Sequence, residues 1–114
     1  MTDVALVEAN DAFSHLAVRG RLDAAGVDAV DFTLTSRAVT PGRPAVIDLG
    51  AVDFIASLGI AMLVRIARDL RGQGAGMAVV ATEPVKGLLE MMKMDPLFSV
   101  VATRDDALRA LGLK

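Results

Sequence analysis

The chain has 114 residues, 54% hydrophobic and 23% charged, which is enough for the core of one domain and too short for two. A net charge of −2 argues against nucleic acid as a direct electrostatic partner. The absence of cysteine excludes disulfide and thiolate chemistry, and four Phe with no Trp or Tyr leave base stacking little to work with.

The opening Met-Thr-Asp-Val-Ala-Leu-Val-Glu lacks a basic region followed by an apolar stretch, so it does not read as a signal peptide. Val4, Leu6 and Glu8 open a short first strand. From Phe13 to Val18 the pattern alternates, with Leu16 and Val18 on one face and Phe13, His15 and Ala17 on the other. Asn10-Asp11 between them is turn chemistry, which makes the pair a hairpin. Gly20 is expected to break the second strand, and Asp23 to cap a helix from Ala24 to about Val39. Val27, Val30, Leu34 and Ala38 form one apolar stripe on that helix; Ala29, Phe32 and Val39 form a rival.

Pro41-Gly42 ends the helix, and Ala45 to Leu49 reads as a strand covered on both faces. A loop is expected after Asp48, with a long helix starting at Ser57. On that helix Ile60, Leu63, Val64, Ala67, Leu70 and Arg71 fall near one side. The longest apolar region, Phe54 to Val64, is interrupted by Ser57 and Gly59 and is too short to cross a bilayer. Gly72 and Gly74 stop the helix and Met77 to Ala81 forms a buried strand. Pro84 suits the first turn of a third helix with Val85, Leu88, Leu89 and Met92 inward. Phe98 to Val101 gives the last strand, and Thr103 caps a closing helix with Ala107, Leu108 and Leu111 inside. The order β-β-α-β-α-β-α-β-α predicts a single α/β domain over residues 1–114: a mixed, mostly parallel sheet with an N-terminal strand pair and about four helices. A soluble cytoplasmic protein without membrane insertion is expected.

Chemistry concentrates at Ser57. As a helix N-cap, its hydroxyl would accept from the backbone N–H of Gly59 or Ile60. Unpaired N–H groups and the helix dipole favour negative charge there, so a phosphate on Ser57 would be stabilised locally. Leu58 and Met62 are expected on the outward face, beside Arg65 and Asp69, as an apolar docking patch next to a modifiable hydroxyl. Asp48, at a strand's C-terminal end, offers a rival reading as a receiver-like phosphoacceptor, but Asp-Leu-Gly-Ala-Val lacks a second acidic residue, and a loop-ordering role is preferred. His15, the single histidine, is expected at a surface or edge and makes a zinc site improbable. Met91, Met92 and Met94 are expected to be mostly core and gap filling, with one or two of them extending a partner surface as the alternative, and Arg104, Asp105 and Asp106 a solvated helix start.

The run Val-Ile-Asp-Leu-Gly-Ala-Val-Asp-Phe-Ile-Ala-Ser-Leu-Gly-Ile, preceded by Gly-Arg-Leu-Asp-Ala-Ala-Gly and followed by Gly-Met-Ala-Val-Val-Ala-Thr, resembles a STAS domain of the anti-sigma-factor-antagonist type over nearly the whole chain. The resemblance implies a non-enzymatic protein without a cofactor that binds an anti-sigma factor, itself a serine protein kinase, and so frees a sigma factor. It implies phosphorylation at the start of the long helix, which breaks the complex, and a PP2C-like phosphatase that resets it; ATP would be the kinase's cofactor. Asp23, Asp53, Ser57 and Gly59 fall on the motif positions. Asp23 would lie near the partner surface, Gly59 would permit close approach, and Ser57 would be the phosphoacceptor; Asp53, Leu58, Met62 and Arg65 complete the expected contact set. Many members read Asp-Ser-Ser-Gly or Asp-Ser-Thr-Gly here. This chain reads Ala-Ser-Leu-Gly, with Ala56 for the acid and Leu58 for the second hydroxyl. That difference leaves open an antagonist that is permanently active, or a STAS scaffold in a signalling or transport complex.

Overall fold

The computed structural model describes residues 1–94 and 96–113. The elements run β1 (Asp3–Ala9), β2 (Ser14–Leu22), α1 (Ala24–Val39), β3 (Ala45–Ile55), α2 (Ser57–Gly72), β4 (Met77–Val80), α3 (Val85–Met91), β5 (Ser99–Val101) and α4 (Arg104–Ala110). The order is the one the periodicities predict. The strands lie in the order β1-β2-β3-β4-β5, with β1 antiparallel to β2 and every other neighbouring pair parallel. The Asn10 side chain closes the β1–β2 turn, accepting from the N–H groups of Ala12 at 2.8 Å and Phe13 at 3.0 Å.

Strand alternation divides the core between the two faces of the sheet. Leu16, Val18, Ile47, Leu49 and Val79 face α1, α2 and α3, while Phe13, Val46, Ala78 and Val80 face α4. On α1 the stripe Val27, Val30, Leu34 and Ala38 is the buried one, and the rival Phe32 is 83% exposed. Asp23 caps α1 as expected: its carboxylate accepts from the Gly26 N–H at 2.8 Å. Thr103 does the same for α4, accepting from the Asp106 N–H at 3.1 Å.

Two strands run further than their sequence pattern indicates. β2 does not end at Gly20; the glycine takes φ +106° and pairing with β3 resumes through to Leu22. β3 does not open into a loop after Asp48 but continues to Ile55. Two register shifts against β2 account for this, one between Ala17 and Arg19 and one between Gly20 and Arg21. Each places extra β3 residues opposite β2, so Leu49, Val52 and Ile55 all point inward at a spacing of three instead of two. The Asp48 carboxylate accepts from the Gly50 N–H at 2.8 Å across the first irregularity. Its role as an organiser of local backbone holds, but within a strand.

The receiver-like reading of Asp48 therefore loses its premise, because Asp48 lies mid-strand. Its other oxygen lies 3.3 Å from His15 Nε2. His15 is itself buried at 4% exposure, not at the surface, and Arg104 donates to its Nδ1 at 3.2 Å while also pairing with Glu8. Arg104 is thus a tether between α4 and the β1–β2 hairpin rather than a solvated charge.

The Gly26 hydrogen bond is the largest influence holding the Asp23 carboxyl below its ordinary value, with Arg21 a smaller one. A carboxyl that titrates lower folded than unfolded contributes stability at neutral pH and loses it as pH falls through the folded value. Asp23→Ala should lower the melting temperature by about 5 °C at pH 7. The gap to the wild type should close as the pH drops below about 4. Thermal melts of both proteins across that range check it; a gap that persists unchanged in acid rules out the carboxylate as its source.

Candidate functional site at the paired helix starts

β2 and β3 run parallel, and their last residues, Leu22 and Ile55, are register partners. The Ala56 N–H donates to the Leu22 carbonyl at 2.9 Å, tying the two strand ends together. The following residues start α1 and α2, so Asp23 and Ser57 emerge side by side at one end of the sheet. This is a consequence of strand pairing and not of any local signal around Ser57.

The helix start differs from the expected one. Ala56 is the N-cap, with extended backbone, and Ser57 is the first helical residue. The N–H groups of Gly59 and Ile60, expected to donate to the serine hydroxyl, donate instead to the Ala56 carbonyl at 2.9 and 3.2 Å. Ser57 makes no capping hydrogen bond through its side chain and is exposed. Its hydroxyl is thus uncommitted at the positive end of a sixteen-residue helix.

Leu58 is 55% exposed, as expected, but Met62 is 2% exposed. The buried side of α2 is Gly59, Met62, Leu63, Ile66, Ala67 and Leu70, rotated toward Met62 and Ile66 from the expected stripe. The reason is tertiary: α1 packs alongside α2, so α2 is covered by a helix as well as by the sheet. Met62 lines the floor of a groove between the two helices, with Val27, Asp31, Leu58, Ala61 and Arg65 around it. Arg71, expected on the inner side, is exposed and donates to the Pro96 carbonyl.

Gly59 is buried, so the close approach it permits is internal. A Cβ there would meet Ile55 Cγ1 at 2.7 Å and the Leu22 carbonyl oxygen at 3.2 Å. Arg65 is exposed and ion-paired with Asp31 of α1, with Nη1 also donating to Thr35 Oγ1 at 3.2 Å. It braces α1 against α2 and lies two turns, or about 12 Å, along the helix from Ser57. Asp53 is exposed on β3.

Two further residues join the site. Phe54 is 39% exposed, and the Arg21 guanidinium sits 4.4 Å from its ring centroid. Arg21 Nε also lies 3.5 Å from Asp23 Oδ2. The guanidinium therefore links an exposed ring on β3 to the cap of α1. Strand alternation alone would have drawn Phe54 and Ile55 to opposite faces, which was the available signal for an outward Phe54. Exposed at this end of the sheet are thus the Ser57 hydroxyl and Leu58 at the start of α2 and, just before them on β3, the Phe54 ring tied through Arg21 to the Asp23 carboxylate. No group of three or more His, Cys, Asp or Glu among the described residues is placed to hold a metal ion.

The STAS domain model matches residues 5–107. An anti-sigma factor antagonist from Mycobacterium paratuberculosis is similar in structure at 30% identity and a TM-score of 0.81, over 96% of this chain and 94% of that one. A STAS-domain anti-sigma-factor antagonist from Planctomyces limnophilus shares the fold at 20% identity and a TM-score of 0.77, over 96% of this chain and 98% of that one. So does the anti-sigma factor antagonist SpoIIAA in its unphosphorylated form, at 13% identity and a TM-score of 0.68, over 97% and 98% of the two chains. Among curated proteins none matches. With its family model spanning nearly every element and its fold shared with anti-sigma factor antagonists, the chain belongs to the STAS domain family.

Proposed function

We propose that this protein is an anti-sigma-factor antagonist that docks an anti-sigma factor with serine kinase activity through the surface where α1 and α2 begin, and that phosphorylation of Ser57 breaks the complex. The observation that carries the reading is the uncommitted, exposed Ser57 hydroxyl beside two exposed apolar side chains, Phe54 and Leu58. An apolar patch with polar edges fits a protein partner. A phosphate there adds nearly two negative charges beside the Asp23 carboxylate at the start of α1, and covering it with a partner would leave that charge desolvated. The dissociated protein would keep its fold, because negative charge is favourable at a helix start.

A specific feature supports a second reading. Leu58 occupies the second residue after the cap, where many relatives carry a hydroxyl, and a leucine there favours constitutive docking. The two readings separate in one experiment. Purified anti-sigma factor kinases from the same organism are mixed with the wild type, Ser57→Ala, Ser57→Asp and Leu58→Glu, with and without ATP. A switch predicts mass-spectrometric phosphorylation of the wild type but not of Ser57→Ala. It also predicts binding by Ser57→Ala and a loss of about 100-fold with Ser57→Asp, the scale of a hot-spot residue. Binding without any phosphate transfer supports the constitutive reading. Leu58→Glu should abolish binding in both cases, and full binding by that variant removes the surface itself.

A further inference from the structure

Beside this surface, at the C-terminal ends of β3 and β4, lies a second concavity that neither helix start forms. It is an open cleft of about 150 Å3 lined by Asp53, Phe54, Ile55, Pro84, Val85 and Leu88. Ile55 and Val85, 4% and 2% exposed, are its buried members. Phe54 and Pro84 are exposed and Leu88 is half-buried. Five of the six lining residues are apolar, and a hole of this size lined by such side chains accommodates a group as large as a benzene ring. The one polar member, Asp53, takes part in none of the seven ion pairs among the described residues. Of the charges around it, Glu83 accepts from the Gly87 N–H of α3 at 3.1 Å, Lys86 is held by Glu90 at 2.8 Å, and the Arg21 guanidinium over Phe54 is shared with Asp23, so Asp53 is the carboxylate of the lining left for a partner.

We infer that this cleft is the anchor site for the bound partner: it receives an apolar side chain of the anti-sigma factor followed by an arginine or lysine that pairs with Asp53. The inference rests on the proposed function for the identity of the partner, and on the cleft for the chemistry of the anchor. Few converging polar groups line the cleft, so it cannot orient a small molecule well. An apolar side chain in a pocket with a complementary charge at its edge is the usual anatomy of a protein–protein contact. Phe54 lines the cleft and is tied through Arg21 to the Asp23 cap at the paired helix starts, so a single partner can cover the two together. Asp53 at its mouth supplies the charge that a basic residue beside the apolar anchor would pair with.

The cleft can be probed without the partner. Amide cross-peaks of the intact protein are followed by NMR during titration with acetyl-Leu-Arg-amide and, separately, acetyl-Leu-Glu-amide. Saturable shifts at Asp53, Ile55, Val85 and Leu88 are expected with the basic peptide, with the acidic one binding at least fivefold more weakly. Asp53→Asn, a surface change that leaves the fold intact, should bring the two affinities within twofold. No saturable shift at these residues, or equal affinity of the wild type for the two peptides, overturns the inference. In a second arm, Leu88→Trp fills the cleft and should weaken anti-sigma factor binding at least tenfold, with thermal melts showing that it is folded. Undiminished binding by folded Leu88→Trp also overturns it. If no anti-sigma factor binds the wild type while the basic peptide still saturates the cleft, the failure lies in the proposed function, and the cleft's preference stands.

Discussion

Gly26→Ala is expected to lose roughly 3 kcal/mol of stability, at the upper end of what overpacking costs. A Cβ at this position would sit 1.8 Å from the Arg21 carbonyl oxygen and 3.0 Å from Thr2 Oγ1. The first contact is with backbone, so no side-chain rotation relieves it. Either the first turn of α1 lifts off the end of β2, or that end of β2 moves. The Arg21 carbonyl also accepts from Thr2 Oγ1 at 2.8 Å, so moving it disturbs the N-terminal segment as well. Alanine's better helix propensity recovers at most about 1 kcal/mol. Urea denaturation should show a lower midpoint with an unchanged slope. The same displacement carries Asp23 and Arg21 with it, so partner binding should weaken even where the variant is folded. A midpoint within error of the wild type would mean that α1 approaches β2 less closely than described.

Met62→Ala is expected to cost about 3 kcal/mol, within the range for truncating a buried methionine. Leu58→Ala, four residues earlier on the same helix, should stay within about 0.5 kcal/mol of the wild type. The contrast follows from 2% exposure against 55%. The effects on binding should be reversed. Leu58→Ala should weaken the partner by roughly tenfold or more if it is a central contact. Met62→Ala should act on the complex only through the shape of the α1–α2 groove. Melting curves and titration calorimetry on the two variants separate the roles. A loss for Met62→Ala as small as that for Leu58→Ala would place Met62 outward, opposite the stripe first expected to be buried.

The consequences of Met62 reach the site as a whole. The predicted docking face assumed that α2 has one buried side, set by the sheet. In the fold α2 is flanked by α1 as well, through the groove that Arg65 bridges to Asp31 and Thr35. Leu58 is left as the apolar side chain of α2 that faces solvent at its start, and the patch is completed from β3 by Phe54. Met91 at the end of α3 and its C-cap Met92, expected inward, are likewise exposed, at 74% and 49%.

Much of the architecture is legible in the chain because it depends on local period and local chemistry. Alternation in β2, the continuous apolar run at the start of β3, the 3.6-residue stripe of α1, and the caps at Asp23 and Thr103 each act within a few residues of themselves. The element order and the exposed Ser57-Leu58 pair follow from these signals. Other features belong to the tertiary structure. β3 continues past Asp48 only because irregular pairing with β2 keeps Leu49, Val52 and Ile55 on one face, a pattern that no fixed period describes. Met62 is buried because a second helix lies against it. His15 is enclosed because Arg104, 89 residues away, reaches back across the sheet to it. Asp23 and Ser57 are neighbours because two parallel strands end in register. Local periodicity determines which residues can be inside; long-range pairing decides which side of each element the inside is on.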